Sequence, residues 1–361
     1  MVGLTLGRYL AWRFVKVILT ILAAIFCLTF VVNFVELLRR ASDNPEAGPG
    51  LVAIIALLSV PHTTELILPF AVLFGAMSVF ADLTRKLELV VARAAGVSVW
   101  QFLTPPTLAV FAIGVVSVSL FNPISTTLRQ RADRMELELF GVAGSLRLDH
   151  GLWLRQRGAD GDAVIHAVNV AKGGAELFEV SVNIYAPEGG FLERVEAARA
   201  ELVPGAWLLH DARVSVPGEP ASEVGEYLLA TELTPEKLAV DQASAAKTSF
   251  WELPGLAAQA AEAGLDALPY HLQFQTLLAR PLFLVAMLLL AAAFSLRFFR
   301  FGGVAKTLAG GVAAGFVLYI AAAVASDLGG AGAISPWVAA WSPALVASML
   351  GTLSLLNSED G

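Results

Sequence analysis

The chain has 361 residues, 57% of them hydrophobic and 15% charged, with a formal net charge of −7, whereas soluble domains carry roughly 25% charged residues. With a mean hydropathy of +0.69 this is the composition of an integral membrane protein with some polar mass attached, and its acidic balance argues against nucleic acid as a partner. The single cysteine, Cys27, excludes an intrachain disulfide or a cysteine metal cluster and reads as a small apolar residue inside an apolar run.

The first apolar run covers residues 9–38. A signal-peptide core has about 7–15 residues, so this run is too long for one, and no small-residue cleavage site follows. It reads as a retained span. The stretch "NFVELLRRASDNPEAGPG" (33–50) closes it with Arg39, Arg40 and a set of turn residues. Further runs near 51–81, 99–122, 272–296, 304–326 and 336–356 reach the roughly 20 residues that a bilayer requires. Three spans therefore precede, and three follow, a middle segment of different character.

Between spans two and three lies "ADLTRKLELVVARAAGVSVWQF". It mixes Arg85, Lys86, Glu88 and Arg93 with Leu87, Leu89, Val90 and Val91, the pattern of a short amphipathic helix. Two readings stand side by side: a helix lying on lipid, or a docking helix whose apolar residues fill a groove on a partner.

The middle segment, about 123–270, alternates. In "FEVSVNIYAP", Val180, Val182 and Ile184 fall on one face and Glu179, Ser181 and Asn183 on the other, the period of half-buried strands. "APEGG", "VPGAW" and "VPGEP" punctuate it as turns. Short strands at this spacing predict a β-sandwich or jelly roll. Near 254–268 "PGLAAQAAEAGLDAL" turns helical and leads back to the apolar runs. The fold class is thus an α+β membrane protein, six transmembrane helices arranged 3+3 about an inserted β-domain.

Short-loop charge sets the orientation. Arg8, Arg13 and Lys16, then Arg85, Lys86 and Arg93, then Arg297, Arg300 and Lys306 all fall on one side of a six-span chain. That side is expected to be the cytoplasm, with both termini there and the β-domain outside. Arg39 and Arg40 then lie at the outer end of span one, and Arg129, Arg131 and Arg134 follow span three on the same side. They read either as anchors snorkelling to headgroups or as a basic rim for an anionic ligand. Clustering from two separate segments favours the rim.

Catalytic motifs are missing. "GGVAKT" (302–307) has Ala305 where a nucleotide-binding loop needs glycine, and it opens a span. His62, His150, His166, His210 and His271 form no i,i+4 metal pair. No catalytic residue, cofactor or metal is expected, and any ATP is hydrolysed by another chain. His62, Glu65 and Asp327 stand near the outer ends of spans, away from the midplane, which weakens proton-relay readings.

Six stretches in order, "LLSVP" (57–61), "LPFAVLFGAM" (68–77), "ELVVARAAGVS" (88–98), "GLWLR" (151–155), "LTPEKL" (233–238) and "RPLF" (280–283), resemble the LptF/LptG family of lipopolysaccharide-export permeases. The resemblance covers essentially the whole chain, and "LLSVP" with "GLW" is most like the LptG branch. It implies spans 1–3 with a coupling helix near 82–96 within 1–128, a periplasmic β-jelly roll at 129–253, and a connecting helix with spans 4–6 at 254–361. It further implies extraction of lipopolysaccharide from the outer leaflet of the bacterial inner membrane, alongside a homologous LptF-like permease and driven by a cytoplasmic LptB-like ATPase dimer. A single-span LptC-like jelly-roll protein and an LptA-like bridge would receive the lipid. Arg39, Arg40, Arg131 and Arg134 match the basic lipid-binding positions. Asn33 and His62 stand where relatives often carry lysine, so two fixed charges become an amide and a group that titrates near 6.5 when free. Arg85, Lys86, Glu88, Leu89 and Arg93 match the coupling helix. Two rivals are an exporter of another anionic lipid or of lipoproteins, and a non-transporting membrane scaffold.

Overall fold

The computed structural model describes residues 4–41, 48–140, 152–158, 161–171, 175–186, 190–218, 220–231, 245–262, 266–298 and 304–359. The turn 42–47, His150 and the "LTPEKL" stretch lie outside the described residues. Helix α1 (Leu4–Ala41) is followed by α2 (Pro49–Arg85), the short α3 (Glu88–Ala94) and α4 (Val99–Val116). A π-helical turn (Ser117–Phe121) leads from α4 into α5 (Asn122–Phe140). After the strands come α6 (Leu253–Glu262), α7 (Leu268–Phe298), α8 (Val304–Gly330) and α9 (Pro336–Glu359).

Six helical segments are long and apolar enough to cross a membrane, three before the strands and three after. The 3+3 arrangement expected from hydropathy is met, and the chain is a multi-pass membrane protein. The helices outrun the apolar segments that announce them. At about 1.5 Å per residue, α1 and α2 are each some 55 Å long, almost twice the roughly 30 Å of a hydrocarbon core.

Helix ends follow local chemistry. Ser98 accepts a hydrogen bond from the backbone N–H of Gln101, and the Gln101 side chain accepts one from the N–H of Ser98, a reciprocal cap that starts α4. Leu87, in a left-handed conformation (φ 60°), breaks α2 from α3. Consequently Asp82–Arg85, expected within the coupling helix, stay in α2.

The bundle core joins Leu10, Phe14 and Ile18, one i,i+4 stripe of α1, to Phe80 and Leu83 of α2, and to α4 and α7. Where helices approach closely, small residues allow it. A Cβ on Gly114 would lie 2.5 Å from the Pro281 Cα, and one on Gly315 would lie 2.2 Å from a methyl carbon of Leu73. Cover is uneven. The most apolar stretches of α2 and α7 are mostly buried, whereas those of α1 and α8 are almost bare. On α1, Leu28, Val31, Val32 and Val35 are exposed.

The strands β1 (Leu152–Gly158), β2 (Gly161–Ala171), β3 (Glu176–Tyr185), β4 (Phe191–Val203), β5 (Ala206–Ser215) and β6 (Ser222–Ala230) form one antiparallel sheet in sequential order. A crease crosses it. Val168, Glu179, Ala198, Asp211 and Gly225 lie on one row across five strands and are skipped by the ladder, although the register on either side is unchanged. Glu179 and Asp211 adopt φ of 52° and 54°, the left-handed region that non-glycine residues rarely occupy. Each such residue inverts the in–out alternation. On β3 the buried series runs Leu177, then Val180, Val182 and Ile184; on β5 it runs Trp207 and Leu209, then Ala212 and Val214. The apolar side therefore stays inward on both flanks of the crease, and the strands form one sequential meander where a sandwich or jelly roll was expected. Among the described residues the edges are linked at Gln156 of β1, whose side chain donates to the Ala230 carbonyl and accepts from the Thr231 hydroxyl, just beyond β6. Away from that point β6 remains exposed.

Candidate functional site: a basic rim, a buried ionic node and a clasp

Three polar groupings interrupt the apolar bundle. Their heights follow from helical rise. Arg13 to Asn33 along α1, and Asp82 to His62 along α2, are each 20 residues, or about 30 Å. One hydrocarbon thickness therefore separates a level near Arg13 and Asp82 from a level near Asn33 and His62. Arg39 and Arg40 stand a further turn or two beyond, toward the sheet.

At that sheet-side end, Leu37 and Ala41 of α1 pack with Val52 and Ile55 of α2 and with Ala132 and Met135 of α5. This contact brings the two arginine segments together. The side chains of Arg39 and Arg40 are 77% and 58% exposed, and both pair with Glu36, at 3.1 and 3.0 Å. Arg40 also lies 3.8 Å from Glu136 of α5. Arg131 and Arg134 are exposed on α5, on one flank of the face that packs through Ala132 and Met135. Arg129 pairs with Asp133 at 2.9 Å, and Asp133 with Lys247 at 2.8 Å. Basic residues of α1 and α5 thus share this end of the bundle with Glu36 and Glu136, acids that sequence reading did not weigh. Exposed ion pairs contribute little to stability and exchange partners readily.

Below the rim, Asn33 is half-buried and His62 is not at the rim at all. His62 lines a cavity of about 360 Å³ with Glu65, Arg280, Gln273, Tyr319 and Ser326, and its Nδ1 is buried with no hydrogen-bond partner among the described residues. Glu65 is the centre of a node. Its carboxylate pairs with Arg280 of α7, accepts from the Asn122 amide at 3.0 Å and from the Ser125 hydroxyl at 2.5 Å. The Asn122 oxygen accepts from the backbone N–H of Phe250 at 2.9 Å, and Trp251 Nε1 donates to the Ser119 carbonyl in the π-helical turn at 3.1 Å. A π-turn displaces helical carbonyls from their usual partners, and the segment returning from the sheet binds there. Spans two, three and four and the sheet's return segment therefore meet at a single fully partnered carboxylate. The sequence held part of this signal: a glutamate inside an apolar run and an arginine in "RPLF". Their pairing across 215 positions has no local signature.

At the opposite end, Arg13 of α1 holds the start of α3. Its guanidinium donates to both Glu88 oxygens, at 3.1 and 2.9 Å, and pairs with Asp82. Tyr9 donates to Glu88 at 3.2 Å, and Lys86 pairs with Asp82 at 3.1 Å. Leu89 packs against the bundle core. Leu87, Val90 and Val91 are exposed hydrophobics, accompanied by exposed Arg85, Lys86 and Arg93. Of the five expected coupling residues, Arg85, Lys86 and Arg93 face outward, while Glu88 and Leu89 face the protein's own bundle. Among the described residues no group of His, Cys, Asp and Glu is arranged to hold a metal.

The model of the family described as lipopolysaccharide export system permease LptF/LptG matches residues 8–357. Two relatives are each named lipopolysaccharide export system permease protein LptG, one from Escherichia coli strain K12 and one from Escherichia coli O6:H1. Each is 25% identical over 322 residues, covering 87% of this chain and 88% of the relative.

Proposed function

Because the chain belongs to the LptF/LptG family of lipopolysaccharide export permeases, and resembles the LptG members most, we propose that it is the LptG-type permease of an ATP-driven complex in the bacterial inner membrane. The observation that carries this reading is Arg39 and Arg40, exposed at the end of α1 above its uncovered Leu28, Val31, Val32 and Val35, with Arg131 and Arg134 exposed on the neighbouring α5. A lipid with phosphates on an acyl-bearing headgroup needs both: cations at the outer interface and an apolar wall beneath. Arginine presents a planar fork that meets two phosphate oxygens at once.

The side bearing Arg13 and α3 is the cytoplasm by the basic bias of the short loops, which puts the sheet in the periplasm. The uncovered faces of α1 and α8 are closed by a homologous LptF-like permease, leaving a chamber between the two chains. An LptB-like ATPase dimer docks on the outward side of α3, through Val90, Val91 and Arg93. The exposed edge of β6 passes lipid to LptC-like and LptA-like β-folds by strand pairing. Asn33 meets the lipid at the outer hydrocarbon boundary, and His62 reaches it through the cavity it shares with Glu65 and Arg280.

The test is lipopolysaccharide release from vesicles holding the full complex. Each charge-assisted hydrogen bond contributes about 1.5–3 kcal/mol, so Arg39→Glu with Arg40→Glu lowers release roughly tenfold or more. ATP turnover without lipid stays near normal, since the site lies far from the ATPase. Equal release at matched protein levels would refute the rim as the lipid site and return both arginines to membrane anchors.

A further inference from the structure

A coupling helix moves a permease only if something ties it to the spans. Helix α3 is two turns long, and left-handed residues break the helical path on both sides of it: Leu87 before it, and Gly96 (φ 83°) after it. Its polar tie to the first span, among the described residues, is a cluster around Arg13. The Arg13 side chain, 14% exposed, bridges Glu88 at the first position of α3 and Asp82 in the last turn of α2. Tyr9, one turn earlier on α1, donates to the same Glu88 carboxylate, accepts from the Arg13 guanidinium at 2.6 Å and lies beneath it, 5.6 Å from ring centre to the guanidinium carbon. The fork of Arg13 is thus divided between two elements on either side of the Leu87 break.

The helix that carries Arg13 is unlike its neighbours. From Arg8 to Ala41 it has neither proline nor glycine. By contrast α2, α4, α7 and α9 contain internal prolines, and α8 holds Gly310, Gly311 and Gly315. Kinks in helices arise at proline, at glycine pairs and at π-turns; α1 has none of these sites. Arg13 and Arg39 lie 26 residues apart on this rod, about 39 Å, and they mark its two functional ends.

We propose that Arg13 is a positioning residue that clasps the coupling helix to the first span, so that displacement of α3 is delivered along α1 to Arg39 and Arg40. The inference rests on the permease reading above for what moves α3, but the clasp itself is a property of this chain.

The experiment uses the full complex with Arg13→Gln, which keeps a polar head, and Arg13→Met, which keeps the apolar stem. Two readouts are taken. Amide hydrogen exchange over 86–96 is compared with wild type, and lipopolysaccharide release is divided by ATP hydrolysed. The clasp predicts at least fivefold faster exchange over 86–96, with exchange over 14–30 unchanged. It also predicts that the ATPase subunit co-purifies at wild-type yield while release per ATP falls at least fivefold. A purely structural role would lower yield and release together and leave their ratio to ATP unchanged. Wild-type exchange over 86–96, or a wild-type release-to-ATP ratio, in either variant overturns the proposal. Failure of both variants to assemble makes Arg13 a folding residue and overturns it also. If the unsubstituted complex releases no lipid on ATP, the permease reading fails, and the exchange comparison still decides the clasp.

Discussion

Removing the Glu65 carboxylate strands Arg280. In Glu65→Ala the guanidinium stays at the hydrocarbon boundary without its counter-ion, and Asn122 and Ser125, both buried, lose an acceptor. Breaking one side of a buried ion pair typically costs about 3–5 kcal/mol. Two features lower that figure here: the Arg280 side chain is 14% exposed, and it borders the 360 Å³ cavity, through which water can reach it. We therefore expect about 2–3 kcal/mol. At about 2.1 cal/mol/K of unfolding entropy per residue, a chain of 361 residues would shift by roughly 3–4 °C in melting temperature. Glu65→Leu combined with Arg280→Met removes both charges while filling similar volume, and such exchanges are often neutral or stabilising. The double variant should regain most of the loss. Thermal unfolding of the purified complex in detergent measures all three proteins. If the single variant melts within about 1 °C of wild type, the node is fully hydrated and the height assignment for spans two, three and four is wrong. If the double variant is no better than the single, the cost comes from lost packing and not from an orphaned charge.

Three further outcomes follow from the same geometry. Gly114→Ala places a Cβ 2.5 Å from the backbone of Pro281; spans three and four must part, and folded yield in detergent should fall, whereas Gly48→Ala, with nothing near its Cβ, leaves the yield at wild type. Val90→Asp with Val91→Asp charges the exposed side of α3, so co-purification of the ATPase should drop severalfold, while Leu89→Asp, facing the core, should reduce the yield of the permease itself. A photoreactive residue at Val224 or Glu226 on the exposed edge of β6 should crosslink to a periplasmic β-fold protein in whole cells, and one at the buried Val195 should not.

Most of the architecture was legible because a bilayer imposes one strong rule. A span needs about 20 apolar residues, and six such runs stand out. Their true lengths were not legible: beyond the membrane, α1, α2 and α5 continue as ordinary helices in which Glu36, Arg39 and Arg129 are welcome. The strands showed their alternation in "FEVSVNIYAP", yet the crease hid in plain view. Glu179 reads as a normal outward residue until its φ of 52° reveals that alternation restarts there. The clustered charge that opposes the cytoplasmic bias was legible, because charge is a local property. The approach of Glu136 to Arg40 was not, since the two stand on different helices. The same limit hid the clasp and the node. Arg13 and Glu88 are 75 positions apart, and nothing in either neighbourhood names the other. Leu89 shows the cost of reading a seven-residue helix from composition alone: its apolar residues divide between two faces, one for the bundle and one for a partner.

The spacing of the two polar levels also makes the protein a gauge of the membrane around it. Arg13 with Asp82 at one level and Glu65 with Asn122 at the other are about 25 Å apart along α2, a little under one hydrocarbon thickness. A bilayer of longer acyl chains must either thin locally or draw one of these ionic groups into its oil, at fractions of a kcal/mol per Å of mismatch. Shorter chains relieve that strain but leave the bare leucines and valines of α1 in water. The chain is therefore matched to lipids of one thickness, and lengthening the acyl chains in a reconstituted vesicle acts on the clasp and the node together without a single substitution.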